Sequence, residues 1–444
     1  MKNFQFFTPR VSVGTPNSLA IFLPAKVSAA LILSGAFSTL SFAQTPSLSN
    51  LTVSAVLDGY YQSEDRLMTE RAKGFGLGET ELAFSASIDD MFFGKLTTVF
   101  ELHDGETEVI VEEAFVQTMA LPNGFTVRAG RFLSDIGYLN NQHLHTDSFT
   151  SRPSAYRAFL GGHYFDDGLR FSYIAPTDLY WTMGVEAFSG DSLRAADEHG
   201  ERAFDSTGVY TAFTKIGGDI STESSWQLGM SYVRNENGQL TAEEHEEDEH
   251  EHEEAGHEDE HEEAGHEDEH EEAGHEDEHG HGHGANYTGK NTFITDFVYK
   301  WAPDGNYKYQ HLTLSAEYFR VSDFMVPELH EELAGAEDHD AGDDAKSKDY
   351  HEAWYVSGVY QFSPNWSAGL RYGELDSQLQ HEGHFDQQTL KETELSIAWH
   401  NSHFSTVRVE FSHQSNIGFE IESNDNVVTL QYVMVMGAHS AHQF

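Results

Sequence analysis

The run Leu312-Thr313-Leu314-Ser315-Ala316-Glu317-Tyr318 puts Leu312, Leu314, Ala316 and Tyr318 on one side of an extended chain and Thr313, Ser315 and Glu317 on the other. Side chains of a strand alternate between faces, so this period of two gives one apolar and one polar face. The same rhythm recurs. Leu82, Phe84, Ala86 and Ile88 oppose Glu81, Ala83, Ser85 and Ser87. Leu96, Thr98, Phe100 and Leu102 oppose Thr97, Val99 and Glu101. Leu169, Phe171, Tyr173 and Ala175 oppose Arg170 and Ser172, and Val407, Val409 and Phe411 oppose Thr406, Arg408 and Glu410. Segments of about ten residues are the length that a tilted strand needs to cross a bilayer.

Working outward, strands are expected near 50–61, 79–88, 93–103, 108–118, 124–132, 167–175, 178–188, 206–216, 225–235, 290–301, 308–321, 351–362, 365–376, 390–400, 403–413 and 426–437. A soluble sandwich shows the same alternation, so the connections decide between the two. They alternate in length. Short ones include Asp89-Asp90-Met91, Leu121-Pro122-Asn123, Pro176-Thr177, Pro303-Asp304-Gly305, Ser363-Pro364-Asn365 and Asn401-Ser402. Long polar ones cover 62–78, 133–166, 189–205, 236–289, 322–350, 377–389 and 414–425, with 103–107 a short exception. An even count of about sixteen strands, short turns on one side and long loops on the other is the pattern of an all-β transmembrane antiparallel barrel with periplasmic turns and extracellular loops. Its location is then the outer membrane of a Gram-negative bacterium, with outer-membrane lipid as its surroundings.

Composition agrees with this and excludes other classes. The 444 residues carry a formal net charge of -49, which rules against a nucleic-acid partner. Cysteine is absent, so metal chemistry must use His, Asp and Glu. Residues 1–43 read as a signal peptide: Lys2, Arg10 and Lys26 supply charge, Val27 to Phe37 the apolar segment and Ser41-Phe42-Ala43 the cleavage site, leaving 44–444 as the barrel. The few residues between signal and first strand leave no room for the plug domain that a TonB-dependent receptor uses. No nucleophile motif, phosphate-binding loop or zinc-protease helix is visible, so the chain is read as non-enzymatic and as requiring no cofactor.

Residues 243–284 are of low complexity, with the unit His-Glu-Asp-Glu-His-Glu-Glu-Ala-Gly starting at His257 and repeating at His266. Eleven of the 27 histidines lie there: His245, His250, His252, His257, His261, His266, His270, His275, His279, His281 and His283. They stand among 22 of the 74 acidic residues, without Lys or Arg. This composition predicts a disordered extracellular loop over about 241–286. Imidazole suits zinc, nickel and copper, and pairs four apart, such as His257 and His261, share a face on a transient helical turn. The expected ligand is zinc or another divalent transition metal, held weakly and exchangeably at a pore mouth. His330, His339, His381 and His384 extend this acidic surface.

The connection 133–166 is the candidate constriction, with Asp135, His143, His145, Asp147, Arg152, Arg157 and His163. His143 and His145, two apart, would share one side of an extended segment and meet a passing cation. Inward positions of the wall include Glu81, Glu101, Arg128, Arg170, Glu186, Asp296, Lys300, Glu317, Arg371, Glu394, Arg408 and Glu410. They would impose a transverse field on the lumen or pair as salt bridges along the wall.

The motifs Glu112-Glu113-Ala114-Phe115-Val116, Leu121-Pro122-Asn123-Gly124-Phe125 and Arg128-Ala129-Gly130-Arg131-Phe132, followed by Gly137, Asn140, His143 and His145, resemble the phosphate-selective-porin-like family of outer-membrane barrels. Within it, the His-rich insert and the ending Ala438-His439-Ser440-Ala441-His442-Gln443-Phe444 are similar to the zinc-regulated outer-membrane receptor group, often labelled TonB-dependent. The resemblance implies a sixteen-stranded barrel, a homotrimer, recognition of the terminal Phe by the outer-membrane assembly machinery, and a third outer loop folded inward, which is 133–166 by position. Phosphate selectivity is not carried over, because only 25 Lys plus Arg leave no lysine-rich lining. Two functions follow: a pore for small ions, divalent cations foremost, with the tract as a zinc antenna, or a surface metal-sequestering protein displayed on a barrel. A TonB-dependent zinc receptor is the third reading.

Overall fold

The computed structural model describes residues 51–69, 71–103, 106–193, 207–238, 285–323, 350–381, 384–419 and 425–437, with the side chains of 101–107 and 379–386 outside the description. Chain-order neighbours pair antiparallel all the way round. The strands are β1 (Thr52–Gln62), β2 in two pieces (Gly74–Leu77 and Thr80–Ser87), β3 (Phe92–His103), β4 (Glu106–Thr118), β5 (Phe125–Leu133), β6 (Phe165–Ile174), β7 (Tyr180–Phe188) and β8 (Val209–Ser221). They continue as β9 (Ser224–Asn235), β10 (Asn291–Trp301), β11 (His311–Ser322), β12 (Tyr350–Ser363), β13 (Trp366–His381), β14 (His384–Ser402), β15 (Ser405–Ile417) and β16 (Asn426–Gly437). Both pieces of β2 pair with β1, so they form one barrel strand, and β1 closes on β16 from Ser54 opposite Gly437 to Gln62 opposite Thr429. The result is a closed sixteen-stranded antiparallel barrel.

Closure leaves no unpaired sheet edge, and alternation then sorts the side chains. Leu169, Phe171, Leu314, Val409 and Phe411 are exposed on the outside, whereas Arg170, Glu317, Arg408 and Glu410 are buried within, as their alternation predicts. Among the described residues no helix is long and apolar enough to cross a membrane; the strands carry the apolar belt. Aromatic side chains rim it. Exposed Phe92, Tyr180, Tyr360, Trp366, Trp399 and Phe404 lie by the short turns, and exposed Tyr61, Phe75, Tyr210, Phe293 and Tyr318 towards the long connections. Two of the turns are Pro-Asn-Gly and Pro-Asp-Gly, with Asn123 at φ 61° and Asp304 at φ 54°, a left-handed conformation that Asn and Asp tolerate.

Several strands run longer than the alternation indicates. β8 extends to Ser221, which leaves Thr222-Glu223 as another short turn. β13 and β14 stay paired up to His381 opposite His384, so most of the expected loop 377–389 is hairpin, and β15 reaches Ile417 within the expected loop 414–425. Above the belt the apolar alternation fades, while backbone pairing continues, Ser377 opposite Gln388 and Gln378 opposite Gln387, and Thr389 Oγ1 donates to Asp376 Oδ1 at 2.8 Å. β2 begins at Gly74 rather than 79, interrupted at Gly78-Glu79. A Cβ at Gly78 would sit 2.5 Å from Asp58 Oδ2 and 2.7 Å from Arg71 Nη1, so glycine is needed where that buried ion pair passes. The signal segment, the tract 243–284 with its eleven histidines, His330, His339 and the terminal Phe444 lie outside the described residues.

The connection between β5 and β6 turns into the barrel. It carries helix α1 (Ser154–Leu160), all seven residues of which are buried. Its neck is closed by Asn140, which is fully buried: Nδ2 donates to the carbonyls of Ser134 (2.8 Å) and Tyr164 (2.9 Å), and Oδ1 accepts from the Tyr164 N–H (2.7 Å). Asn140→Ala strands the Ser134 carbonyl and the Tyr164 N–H, each at a cost of ~1–3 kcal/mol, while the Tyr164 carbonyl keeps the Ser134 N–H at 3.0 Å. The expected outcome is a folded barrel whose melting temperature in detergent drops and whose loop becomes cleavable by added protease, read on gels of boiled and unboiled samples.

Candidate functional site

The inward loop reaches the far wall. Glu410 accepts from the N–H and the hydroxyl of Thr150, both at 2.7 Å, and Arg371 Nη2 donates to the Ser151 carbonyl at 2.6 Å. Arg408 Nη2 donates to the Asp147 carbonyl at 2.5 Å, and Ser396 Oγ to the Ser148 carbonyl at 3.0 Å. Loop residues 63–73 enter from the same end. Arg66 Nη1 donates to Ser151 Oγ at 2.8 Å, and the guanidinium pairs with Glu392 (3.0 Å), Glu394 and Glu410 (3.5 Å). Burial works against the charge on Arg66, but these three carboxylates outweigh it and hold its pKa above the ordinary value.

Of the seven expected constriction residues, His163 lies against Glu112 at the far end of the loop and the other six divide into two groups. Asp147, Arg152 and Arg157 are buried struts. Arg152 binds Asp147 Oδ2 at 2.8 Å and the carbonyls of Leu139 and Gln142, while Arg157 binds the Leu67 carbonyl at 2.6 Å and Glu392. They knot the loop to itself and to its neighbours, so they do not face the passage. Asp135, His143 and His145 do, lining a cavity of about 700 Å³ together with Glu81, Lys95, Glu113, Arg128, Arg170 and Lys215. Burial would raise the pKa of Asp135, yet Lys215 (2.5 Å) and Arg170 hold it below the usual value. Four of the expected inward charges pair across the wall as salt bridges, Arg170 with Glu186 and Arg371 with Glu394. Arg128 differs: its guanidinium takes Gln117 Oε1 at 2.9 and 2.7 Å and lies 4.1 Å over the Phe115 ring.

His143 and His145 do not share an extended segment. Residues 144–146 form a 3-10 turn, in which the Thr146 and Asp147 N–H groups donate to the carbonyls of His143 and Leu144 at 3.0 Å. The turn stacks the two imidazoles 5.7 Å apart and aims them at the wall. There His143 meets Glu112, Glu81 and Glu113, His145 meets Glu81, and His163, at the far end of the loop, meets Glu112. Burial opposes the charge on His143, but Glu112 and Glu81 together with hydrogen bonds to Glu112 and Glu113 hold its pKa well above the ordinary value.

Glu79, Glu112 and Glu113 were not legible as partners. Thr97 lies opposite Glu113 and Thr98 opposite Val111, so Glu112 is the extra residue of a β-bulge and both adjacent glutamates turn inward. The available signal was the pair of adjacent acids itself, which breaks the alternation.

No protein-family model matches the chain. A stretch of 145 residues, 33% of the chain, is 34% identical to an uncharacterized protein of Aquifex aeolicus (strain VF5), and the match spans only 30% of that relative's length. Among solved structures, the chain is similar to OprB of Pseudomonas putida, with 11% identity over 87% of this chain and 94% of that one and a TM-score of 0.50. It is also similar to the outer membrane channel DcaP of Acinetobacter baumannii, with 14% identity over 87% and 96% and a TM-score of 0.49. Likenesses of this depth concern the fold. The closed barrel with an apolar belt and polar interior has the fold of an outer-membrane porin.

The Arg66 network sets a stability test. Arg66→Ala leaves Glu392, Glu394 and Glu410 buried beside one another and is expected to cost ~3–5 kcal/mol. Arg66→Lys keeps the charge, loses the fork and falls between the two in detergent melting curves.

Proposed function

We propose that the protein is an outer-membrane channel for small hydrophilic ions, that divalent metal cations are its main cargo, and that the tract 243–284 captures zinc outside the pore. The observation that carries the channel reading is the water-accessible cavity of about 700 Å³, lined by charged side chains inside a barrel with an apolar exterior. Such an interior serves ions and water, and a loop laid across it sets the narrowest section. Supporting the cation cargo are the carboxylates and imidazoles on one side of that cavity, Glu81, Glu113, His143 and His145. The tract adds many weak ligands and a strongly negative potential, which concentrate cations at a mouth. The homotrimer belongs to this proposal through the family resemblance, and chemical cross-linking of whole membranes decides it.

One observation favours the second reading, a barrel that displays a metal-sequestering surface without conducting. The loops 63–73 and 134–164 are tied across the lumen by buried charges, which narrows the passage on the side of β13 to β15.

Conductance of the full chain in planar bilayers separates the two. The expected result is discrete ohmic steps, with a cation to anion permeability ratio that rises when Arg128→Glu reverses a charge on the lining. Zinc at micromolar concentration is expected to change the current, and replacing the eleven tract histidines by serine should raise the concentration needed. No steps with undiminished zinc binding sinks the channel. Steps indifferent to zinc sink the metal cargo.

A further inference from the structure

We infer that Glu81, Glu112 and His143 form a binding site for one divalent cation of the zinc class, at the seam between the inward loop and the wall formed by β2 and β4. The site uses no residue of 243–284, and it draws on the channel reading only for its position beside the cavity.

The three ligand atoms converge. His143 Nδ1 lies 3.0 Å from Glu112 Oε2 and 3.5 Å from Glu81 Oε2, and the three groups can each present an atom within 4.8 Å of the others. Ligands at ~2.0–2.2 Å from a tetrahedral zinc ion stand ~3.3–3.6 Å apart, so these separations are close to the edges of such a polyhedron. Glu81 and Glu112 are 4% and 1% exposed. Both Glu112 oxygens and His143 Nδ1 are buried without a hydrogen bond of acceptable geometry, although they lie at hydrogen-bond distance from one another. Polar atoms in that state carry a desolvation penalty that a shared cation removes.

The surroundings orient the ligands. Each carboxylate offers Oε2 to His143 and has another imidazole beside Oε1: His145 Nδ1 is hydrogen-bonded to Glu81 Oε1, and His163 Nε2 lies 2.9 Å from Glu112 Oε1. On the far side of the His143 ring, Nε2 faces Glu113 Oε2 at 3.1 Å and Lys95 Nζ at 3.0 Å. With the Lys95 ammonium donating to Glu113 and Nε2–H donating to the same carboxylate, Nδ1 keeps its lone pair for a cation, an arrangement that recurs behind metal-bound histidine. The Lys95 ammonium balances Glu113 and lies at the nitrogen turned away from the site. Mixed nitrogen and oxygen donors favour zinc, cobalt or nickel over calcium and magnesium, which prefer oxygen alone. The three protein ligands leave a coordination position for water or a passing group.

The test uses the full-length chain with the eleven tract histidines replaced by serine, stripped with chelator, loaded with Zn²⁺, desalted and assayed for bound metal. About one zinc per chain is expected, resistant to excess Mg²⁺. Glu112→Gln and His143→Ala, each in that background, should lose it, and His145→Ala or His163→Ala should weaken it about 10- to 100-fold. A background protein that retains no zinc overturns the site, as does zinc that survives both Glu112→Gln and His143→Ala. The shift between boiled and unboiled bands checks that each variant is folded. If Glu112→Gln does not fold, His143→Ala decides, since that ring is the most accessible of the three ligands. Conductance is read separately: bound zinc without current leaves the site and removes the channel, and current without bound zinc does the reverse.

Discussion

Everything in this molecule depends on the backbone pairing of β1 with β16. A strand edge in hydrocarbon presents N–H and C=O groups that no solvent can satisfy, at several kcal/mol for each. The register from Ser54 opposite Gly437 to Gln62 opposite Thr429 removes the last such edge. Once the cylinder is closed, lipid dictates only the outward half of the side chains, and the inward half is free to be polar. That freedom is what lets Glu81, Arg170, Glu317 and Glu410 sit in the middle of a membrane protein.

The inner charges then face the usual cost of desolvation, and they meet it by crowding. Arg66 is held by Glu392, Glu394 and Glu410, and Arg371 takes Glu394 as well. Buried ion pairs of this kind add little net stability relative to apolar packing, but removing one partner is expensive. The network therefore acts mainly as a specification. It makes the position of two loops across the lumen the arrangement in which Arg66, Arg157, Arg371, Glu392, Glu394 and Glu410 all have partners. Asn140 does the same at the neck with neutral groups.

The barrel was legible because strand alternation and turn chemistry are local. Leu314 and Glu317, or Val409 and Glu410, announce their faces without reference to anything distant. The ends of β13 and β14 were not legible, because above the lipid belt nothing demands an apolar face and pairing is set by the neighbouring strand. The inward loop was placed by resemblance and by position, and its role for Asp147, Arg152 and Arg157 was misjudged. Charged residues on an inward loop can face the passage or tie the loop down, and only the three-dimensional partners distinguish the two.

The seam at His143 shows why irregularity is the informative feature. A perfect period of two would send Glu112 to the outer face; the bulge opposite Thr97 and Thr98 turns it inward beside Glu113. Strand β2, which flanks β3 on its other side, is broken at Gly78-Glu79, within reach of the same cluster: Glu79 Oε1 lies 3.8 Å from His163 Nδ1. Two strands on either side of β3 thus depart from regular pairing where the loop delivers three imidazoles. The bulged Glu112 has no partner across the ladder, so compensation must come from what the turned-in side chains do. Four carboxylates with one lysine in a buried setting are unbalanced unless positive charge arrives, either as protons on the histidines or as a cation held between them. Both routes place the same demand on geometry, which is that the oxygens of Glu81 and Glu112 point at one nitrogen of His143.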